Sequence, residues 1–337
     1  MKTYLAIDVG YPNLLIGEMD IWGNILKYKS YSTGYLDQKQ IVSAIKNAVD
    51  DYFKTQHWFM GSKPLAMGIV VSGRVDNVSG MWFQNDPAKA NPVFLSREMS
   101  DIYDIPCFVE NGVKAAVQSE KMFGAGRYSD NLIYISIGAE IAAGFIVNGE
   151  LLRGSNFNAG EISHTNVGVG IGIACECGRT DCVNLIASGI GFDKSARFLS
   201  EKYKTTLVIS KDEKEKVDIK DIFSLYKEGD ELCYHLVENA SSALANLIMN
   251  LMRVSDPDTV ILGGGILSDG FLYPKILDKF NDSTVRFVNT GIIPTSFDNN
   301  LAGLIGAGTV AVLGIKTQKE QYSIEKMEKY SYKNNIK

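Results

Sequence analysis

Residues 160–189 read GEISHTNVGVGIGIACECGRTDCVNLIASG and hold three of the chain's five cysteines. Cys175, Cys177 and Cys182 stand in a C-x-C-x4-C pattern, with His164 eleven residues before the first of them. One imidazole and three thiolates fill the tetrahedral shell of Zn²⁺ and leave no position for water, so the pattern predicts a structural metal and not a catalytic one. A metal-free cluster of reduced thiols is the competing reading, but packing alone gives no reason for so dense a run.

Outside this stretch the composition is that of a globular chain. Its 337 residues suffice for one large or two ordinary domains with ample core. Apolar residues make up 45% and charged residues 22%, which excludes a disordered polymer. The 34 basic and 39 acidic residues leave a net charge of −5, so no overall positive field draws nucleic acid or an anionic membrane. The apolar start Tyr4-Leu5-Ala6-Ile7 runs straight into Asp8, which suits a buried strand better than a secretory leader. No apolar run approaches the roughly 18 residues that span a bilayer. Clustered, metal-spaced cysteines without a leader point to a reducing cytoplasm. Cys107 and Cys233 are expected in the core.

Hydrophobic periodicity divides the chain into two similar runs. In the first, residues 4–9, 14–19 and 25–31 read as strands, with Trp22-Gly23-Asn24 as a turn. Residues 38–53 have helical spacing at Ile41, Val42, Ile45, Val49 and Phe53. Buried strands follow at 65–71 and 107–110, with helices at 92–103 and 113–123. The second run opens with strands at 132–137 and 141–147 and turns at Asn148-Gly149 into a short strand at 151–153. Helices at 190–203 and 231–254, a strand at 259–262, and helices at 271–280 and 301–314 complete it. The charged residues 204–220 read as a surface excursion, and the lysine-rich residues 319–337 as a solvated, partly helical basic tail.

The 160–189 stretch resembles the zinc and sugar-binding segment of the ROK family, which groups bacterial repressors with glucokinase-like sugar kinases. The family pattern is roughly G-E-x-G-H, a spacer, then C-x-C-G-x-x-G-C-L-E and Ser-Gly. Here it reads Gly160-Glu161-Ile162-Ser163-His164, then Cys175-Glu176-Cys177-Gly178-Arg179-Thr180-Asp181-Cys182, then Ser188-Gly189. The metal ligands match one by one, while Asp181 replaces a glycine and Asn184 a glutamate. The resemblance runs from Asp8 to the glycine-rich helix at 304–308. It implies the actin-like ATPase (ribonuclease H-like) α/β fold, with duplicated βββαβαβα domains and an interdomain cleft. The implied domains are 1–118 with about 300–318, and a larger one at 119–299 carrying the zinc loop. A homo-oligomer, dimer or tetramer, is implied as well.

By the same resemblance, Asn111, Glu161 and His164 would contact sugar hydroxyls, with His164 also binding zinc. Vicinal hydroxyls suit a carboxylate beside an amide that both gives and accepts. Gly73 lies in Ser72-Gly73-Arg74-Val75-Asp76, which matches the family's P-G-x-V-D turn except at Ser72.

The nucleotide side departs further. The first phosphate loop, D-x-G-G-T in the family, reads Asp8-Val9-Gly10-Tyr11-Pro12; it keeps Asp8 and Gly10 but replaces a glycine by Tyr11, and Pro12 has no N–H to donate. The second, G-T-G in the family, reads Gly138-Ala139-Glu140. A carboxylate beside a triphosphate costs on the order of 1–4 kcal/mol in partly solvated surroundings. Gly264 and Gly265, within Gly263-Gly264-Gly265, take the family's nucleotide-side turn. The general base, the Asp of E-N-D-A-N-x-A, is replaced by Gly112 in Glu110-Asn111-Gly112-Val113-Lys114, so no catalytic residue is assigned. Losing a positioned base costs about 10²–10⁴-fold in rate. Asn85-Asp86 offers the right dipeptide as a displaced base.

Three functions are compatible with these residues. The expected one is a sugar-binding protein that has lost kinase activity and acts as a carbohydrate sensor or regulator. The second is an ATP-dependent sugar kinase, glucokinase- or fructokinase-like, with divergent catalytic residues. The third is a ROK-type transcriptional regulator, although the first strand begins at Tyr4 where such regulators carry a preceding helix-turn-helix. The expected partner is a sugar or sugar derivative and the expected cofactor a structural Zn²⁺, with ATP and Mg²⁺ in doubt. Neither nucleic acid nor membrane is an expected partner.

Overall fold

The computed structural model describes residues 1–83, 91–286 and 288–334, so Asn85-Asp86 lies outside the described residues. The chain divides into two compact units. The first comprises Met1–Phe123, Ser155–Phe157 and Asn300–Lys337, and the second Gly124–Gly154 and Asn158–Asn299.

In the first unit, β1 (Tyr4–Val9), β2 (Asn13–Met19) and β3 (Ile25–Ser32) form an antiparallel meander. β4 (Met67–Val71) pairs parallel with β1, and β7 (Cys107–Asn111) parallel with β4, giving the order β3-β2-β1-β4-β7. Position in the sheet explains the sequence of each strand. β4, central, is Met-Gly-Ile-Val-Val and buried throughout, whereas β3, at the edge, alternates exposed and half-buried residues. One face of the sheet packs on α1 (Ile41–Gln56) and α2 (Leu95–Tyr103) through Ile45, Val49, Tyr52, Leu95 and Met99. The other packs on α3 (Gly112–Met122) and α10 (Ala302–Asn334) through Ala6, Val70, Ala115, Leu304, Ala307 and Val310. That contact is close: a Cβ on Gly68 would stand 1.9 Å from Ala307 O. A hairpin of β5 (Arg74–Asp76) and β6 (Met81–Phe83), too short to show an alternating pattern, was not expected. Helix α3 is uninterrupted to Met122, and the leading segment of the first unit runs to Phe123.

The second unit repeats the wiring. β8 (Leu132–Ile137), β9 (Ile141–Val147) and β10 (Glu150–Leu151) are antiparallel, and β11 (Thr259–Gly263) and β12 (Gly291–Pro294) extend the sheet in parallel, in the order β10-β9-β8-β11-β12. Its helices are α4 (Val183–Ala187), α5 (Gly189–Leu199), α6 (Ile219–Glu228), α7 (Glu231–Ser255), α8 (Leu272–Leu277) and α9 (Asp282–Val285). α7 buries a continuous stripe including Leu232, Leu236, Ala240, Ala243, Leu247 and Met252. Cys107 and Cys233 are buried core residues, as expected. The duplicated α/β architecture is the actin-like fold. Among the described residues no helix is long and apolar enough to cross a membrane.

Candidate functional site

Residues 160–189 are held by isolated pairings and not by regular strands. Ala174 bridges Thr180, and Asn166 bridges Cys182. The Cys175 N–H donates to Arg179 O at 2.8 Å and the Gly178 N–H to Cys175 O at 3.0 Å, with Gly178 at φ +84°. This tight turn carries Cys175 and Cys177 on one knuckle, and glycine relieves its left-handed position. The Asn166–Cys182 bridge and the Val183 N–H to Thr165 O bond (2.9 Å) bring Cys182 beside the His164 segment.

The ligand atoms of His164, Cys175, Cys177 and Cys182 consequently all lie within 4.8 Å of one another. Cys175 Sγ is 3.4 Å from His164 Nδ1, and Cys177 Sγ is 3.5 Å from Cys182 Sγ. Zinc–sulfur bonds of about 2.3 Å space tetrahedral ligands roughly 3.8 Å apart, so the donor set fits Zn²⁺ in size and chemistry. The Arg179 N–H beside Cys177 lowers its pKa, whereas burial pushes the Cys182 thiol up to about 12. A bound zinc would keep all three sulfurs as thiolates and cross-link the loop.

Asp181, a departure from the family pattern, has a role that sequence reasoning missed. Its Oδ1 accepts the N–H groups of Ile171, Gly172 and Ile173 at 3.2, 2.8 and 3.0 Å. Asn184, the second departure, accepts the Ile141 N–H on Oδ1 at 3.0 Å. Only the asparagine-for-glutamate exchange itself could have flagged it. Glu161 is exposed, and its carboxylate accepts no hydrogen bond from the described residues.

In the first unit, Asn111 is the N-cap of α3. Its Oδ1 accepts the N–H groups of Val113 (3.1 Å) and Lys114 (3.3 Å), and its Nδ2 donates to Gly73 O at 2.7 Å. The φ of +88° at Gly73 belongs to the turn that presents this carbonyl. Asn111 thus leaves one amide hydrogen without an acceptor among the described residues. Gly112 opens α3 with ordinary helical geometry, and a Cβ there would meet nothing within 4 Å. Packing therefore does not demand glycine at 112. Glu110 is 3% exposed, and its Oε1 accepts the Asn111 N–H at 3.0 Å, so it is engaged with backbone. Lys114, buried at 4% exposure, donates from Nζ to Phe157 O at 2.8 Å.

Of the phosphate loops, the first is the short turn Gly10-Tyr11-Pro12 between β1 and β2, with Tyr11 78% exposed. Pro12 O accepts the N–H groups of Thr33 and Gly34 at 3.2 and 3.1 Å. Desolvation pushes the Asp8 pKa up to about 6, and its carboxylate accepts no hydrogen bond from the described residues. The second loop, Gly138-Ala139-Glu140, is tied to the start of α5: Gly138 O accepts the Gly189 N–H (2.8 Å) and Ala139 O the Ile190 N–H (3.1 Å). The Gly191 N–H goes to Ser188 Oγ at 2.9 Å. The donor groups that could hold an anion at this helix end are therefore taken by the protein. Glu140 is exposed. In the Gly263–Gly265 run, Gly264 has φ +102° and a Cβ there would lie 2.4 Å from Ile137 O, so architecture alone requires it. Gly265 borders open space.

Comparison with known proteins agrees with this architecture. A family model described as "ROK family" matches residues 4–312. Glucokinase of Thermotoga maritima is 28% identical over 311 residues, which span 91% of this chain and 96% of that protein. The xylose repressor of Bacillus subtilis is 27% identical over 254 residues, 74% of this chain and 61% of the repressor. The crystal structure of a ROK hexokinase from Thermus thermophilus matches with a TM-score of 0.74 at 23% identity, over 94% of this chain and 99% of the other, a likeness of fold.

Proposed function

Because the chain belongs to the ROK family, we propose that it binds a sugar or sugar derivative without phosphorylating it and serves as a carbohydrate sensor or regulator. The observation that carries this reading is Gly112. Where sugar phosphorylation needs a carboxylate to take the hydroxyl proton, the first residue of α3 is a glycine, and the neighbouring Glu110 is buried on a backbone N–H. The exposed Glu140 adds a like charge on the side where a triphosphate would lie.

In this reading Asn111, Glu161 and His164, with the Gly73 turn, recognise the ligand. His164, Cys175, Cys177 and Cys182 hold a structural Zn²⁺. The protein as a homo-oligomer carries about one zinc per chain. At least one monosaccharide or amino sugar should raise its melting temperature, since a ligand that binds only the folded state stabilises it. With ATP, Mg²⁺ and a panel of sugars, ADP release should stay at background. Sugar-dependent ADP release would sink the proposal.

One observation favours the second reading, an ATP-dependent sugar kinase. Asp8 is a desolvated carboxylate without a hydrogen-bond donor among the described residues, and Mg²⁺ takes oxygen ligands of this kind. Calorimetric titration with Mg²⁺-ATP separates the two, because only the kinase reading expects magnesium-dependent nucleotide binding that Asp8→Asn abolishes.

A further inference from the structure

Asp181 is not among the four candidate metal ligands, yet it braces the loop that carries three of them. It is 7% exposed, and three successive amides, those of Ile171, Gly172 and Ile173, converge on its Oδ1. Such a concave run of N–H groups is an anion-binding nest, filled here by the chain's own carboxylate. The Asp181 N–H also donates to Ile173 O at 2.9 Å, so residues 173 and 181 are joined in both directions. Directly beyond this joint lie the Ala174–Thr180 bridge and the turn bearing Cys175 and Cys177, while Cys182 is the next residue in the chain. Asp181 does this at φ +55°, a conformation that Asp tolerates better than most side chains and glycine better still.

The segment that it grips is one that would not hold its own shape. Gly168, Gly170 and Gly172 alternate through it, with φ of +78° at Gly168 and +86° at Gly172. Glycines lose the most conformational freedom on ordering, and a loop left loose would draw that cost from the metal-binding energy.

We infer that Asp181 is a positioning residue of the metal centre, fixing residues 171–173 so that Cys175, Cys177 and Cys182 stand assembled before the metal arrives. The inference rests on the zinc assignment above and adds the group that preorganises it. Outer-sphere partners that orient metal ligands are worth about 10–100-fold in metal affinity.

The test compares the full-length wild-type protein with Asp181→Asn and Asp181→Gly. The first variant keeps an acceptor oxygen without the charge, and the second suits the backbone but has no acceptor. Zinc affinity is measured by competition with a chromophoric chelator, and Co²⁺ absorption reports tetrahedral thiolate coordination. Asp181→Gly should hold zinc about 10–100-fold more weakly, with Asp181→Asn in between. A merely structural brace would lower the melting temperature of the zinc-stripped protein and leave the affinity unchanged. Wild-type affinity in Asp181→Gly overturns the inference. If that variant does not fold, wild-type affinity in Asp181→Asn overturns it instead. A wild-type protein that takes up no zinc fails differently, removing the metal assignment and the inference together.

Discussion

A side chain at position 112 would enter open space at the first turn of α3, where acidic residues are favoured by the helix dipole. Gly112→Asp is therefore expected to fold and to gain about 0.3–1 kcal/mol, read from the denaturant midpoint. It should release no ADP, because Glu140 and the Tyr11-Pro12 turn are unchanged. Turnover restored by this substitution alone would show that those loops are no obstacle. Asp8 has the opposite character: a carboxyl present at an energetic cost. Its folded pKa stands at about 6 against an ordinary 3.8. Below the ordinary value both states are protonated and burial costs nothing. As pH rises from there to about 6 the unfolded chain ionises first, so stability falls, and above that the cost is full, on the order of 3 kcal/mol. Asp8→Asn should accordingly stabilise the protein near pH 7.5 and leave it unchanged near pH 3.5. An equal gain at both pH values would refute the assignment.

At the level of elements, one buried carboxylate ties the end of the excursion between α5 and α6 back to α5. Asp193 accepts Arg197 Nε and Nη2 at 3.1 and 3.0 Å and the Val217 N–H at 3.1 Å on Oδ1, and Lys216 Nζ at 3.2 Å on Oδ2. Burial works to raise its pKa, but these donors, Arg197 foremost, hold it low. Its stabilising contribution is present above the ordinary carboxylate range and lost as pH falls through the depressed folded value. Asp193→Ala should cost about 2 kcal/mol, less than a fully buried pair because Lys216 reaches solvent, and should speed limited proteolysis within residues 204–218. Unchanged cleavage would mean that the excursion is held by other contacts.

How much of this could be read from the chain differs with the range of the interaction involved. Strands β1, β4, β8 and β11 are short apolar runs between polar or glycine punctuation, and the candidate metal ligands announce themselves by spacing, so both are local signals. The helix read at 301–314 and the partly helical tail beyond it are one helix, α10, running through Gly314 to Asn334. That glycine is an approach point rather than a terminator, since a Cβ there would lie 2.2 Å from the Phe108 ring. β12 is four residues ending in Pro294 and is defined by its pairing with β11, which no local pattern records. The acceptor role of Asp181 arises from three amides gathered eight to ten residues away. A sequence shows the aspartate, but not the convergence.

For the whole molecule, the sheet order repeats with the same sense in both units, but chain continuity does not. Apart from Ser155–Phe157, residues 124–299 make up the second unit as one stretch, whereas the first unit needs α10 from beyond them. Expressed alone, residues 124–299 should therefore unfold cooperatively with a native near-ultraviolet dichroism signal. Residues 1–123 alone should lack one and associate. A monomeric, cooperatively folding 1–123 fragment would contradict the packing of α10 on β1 and β4.

The close seat of Ala307 against Gly68 thus has a meaning for biosynthesis. During translation the first unit emerges before the second with the Ala6, Gly68 and Val70 face of its sheet bare, and the helix that covers it is made only after the second unit. At roughly 5–20 residues per second the delay is on the order of ten seconds or longer. In that interval the nascent chain presents an apolar sheet face that a holding chaperone could shield, and the first unit finishes folding only after the second has left the ribosome.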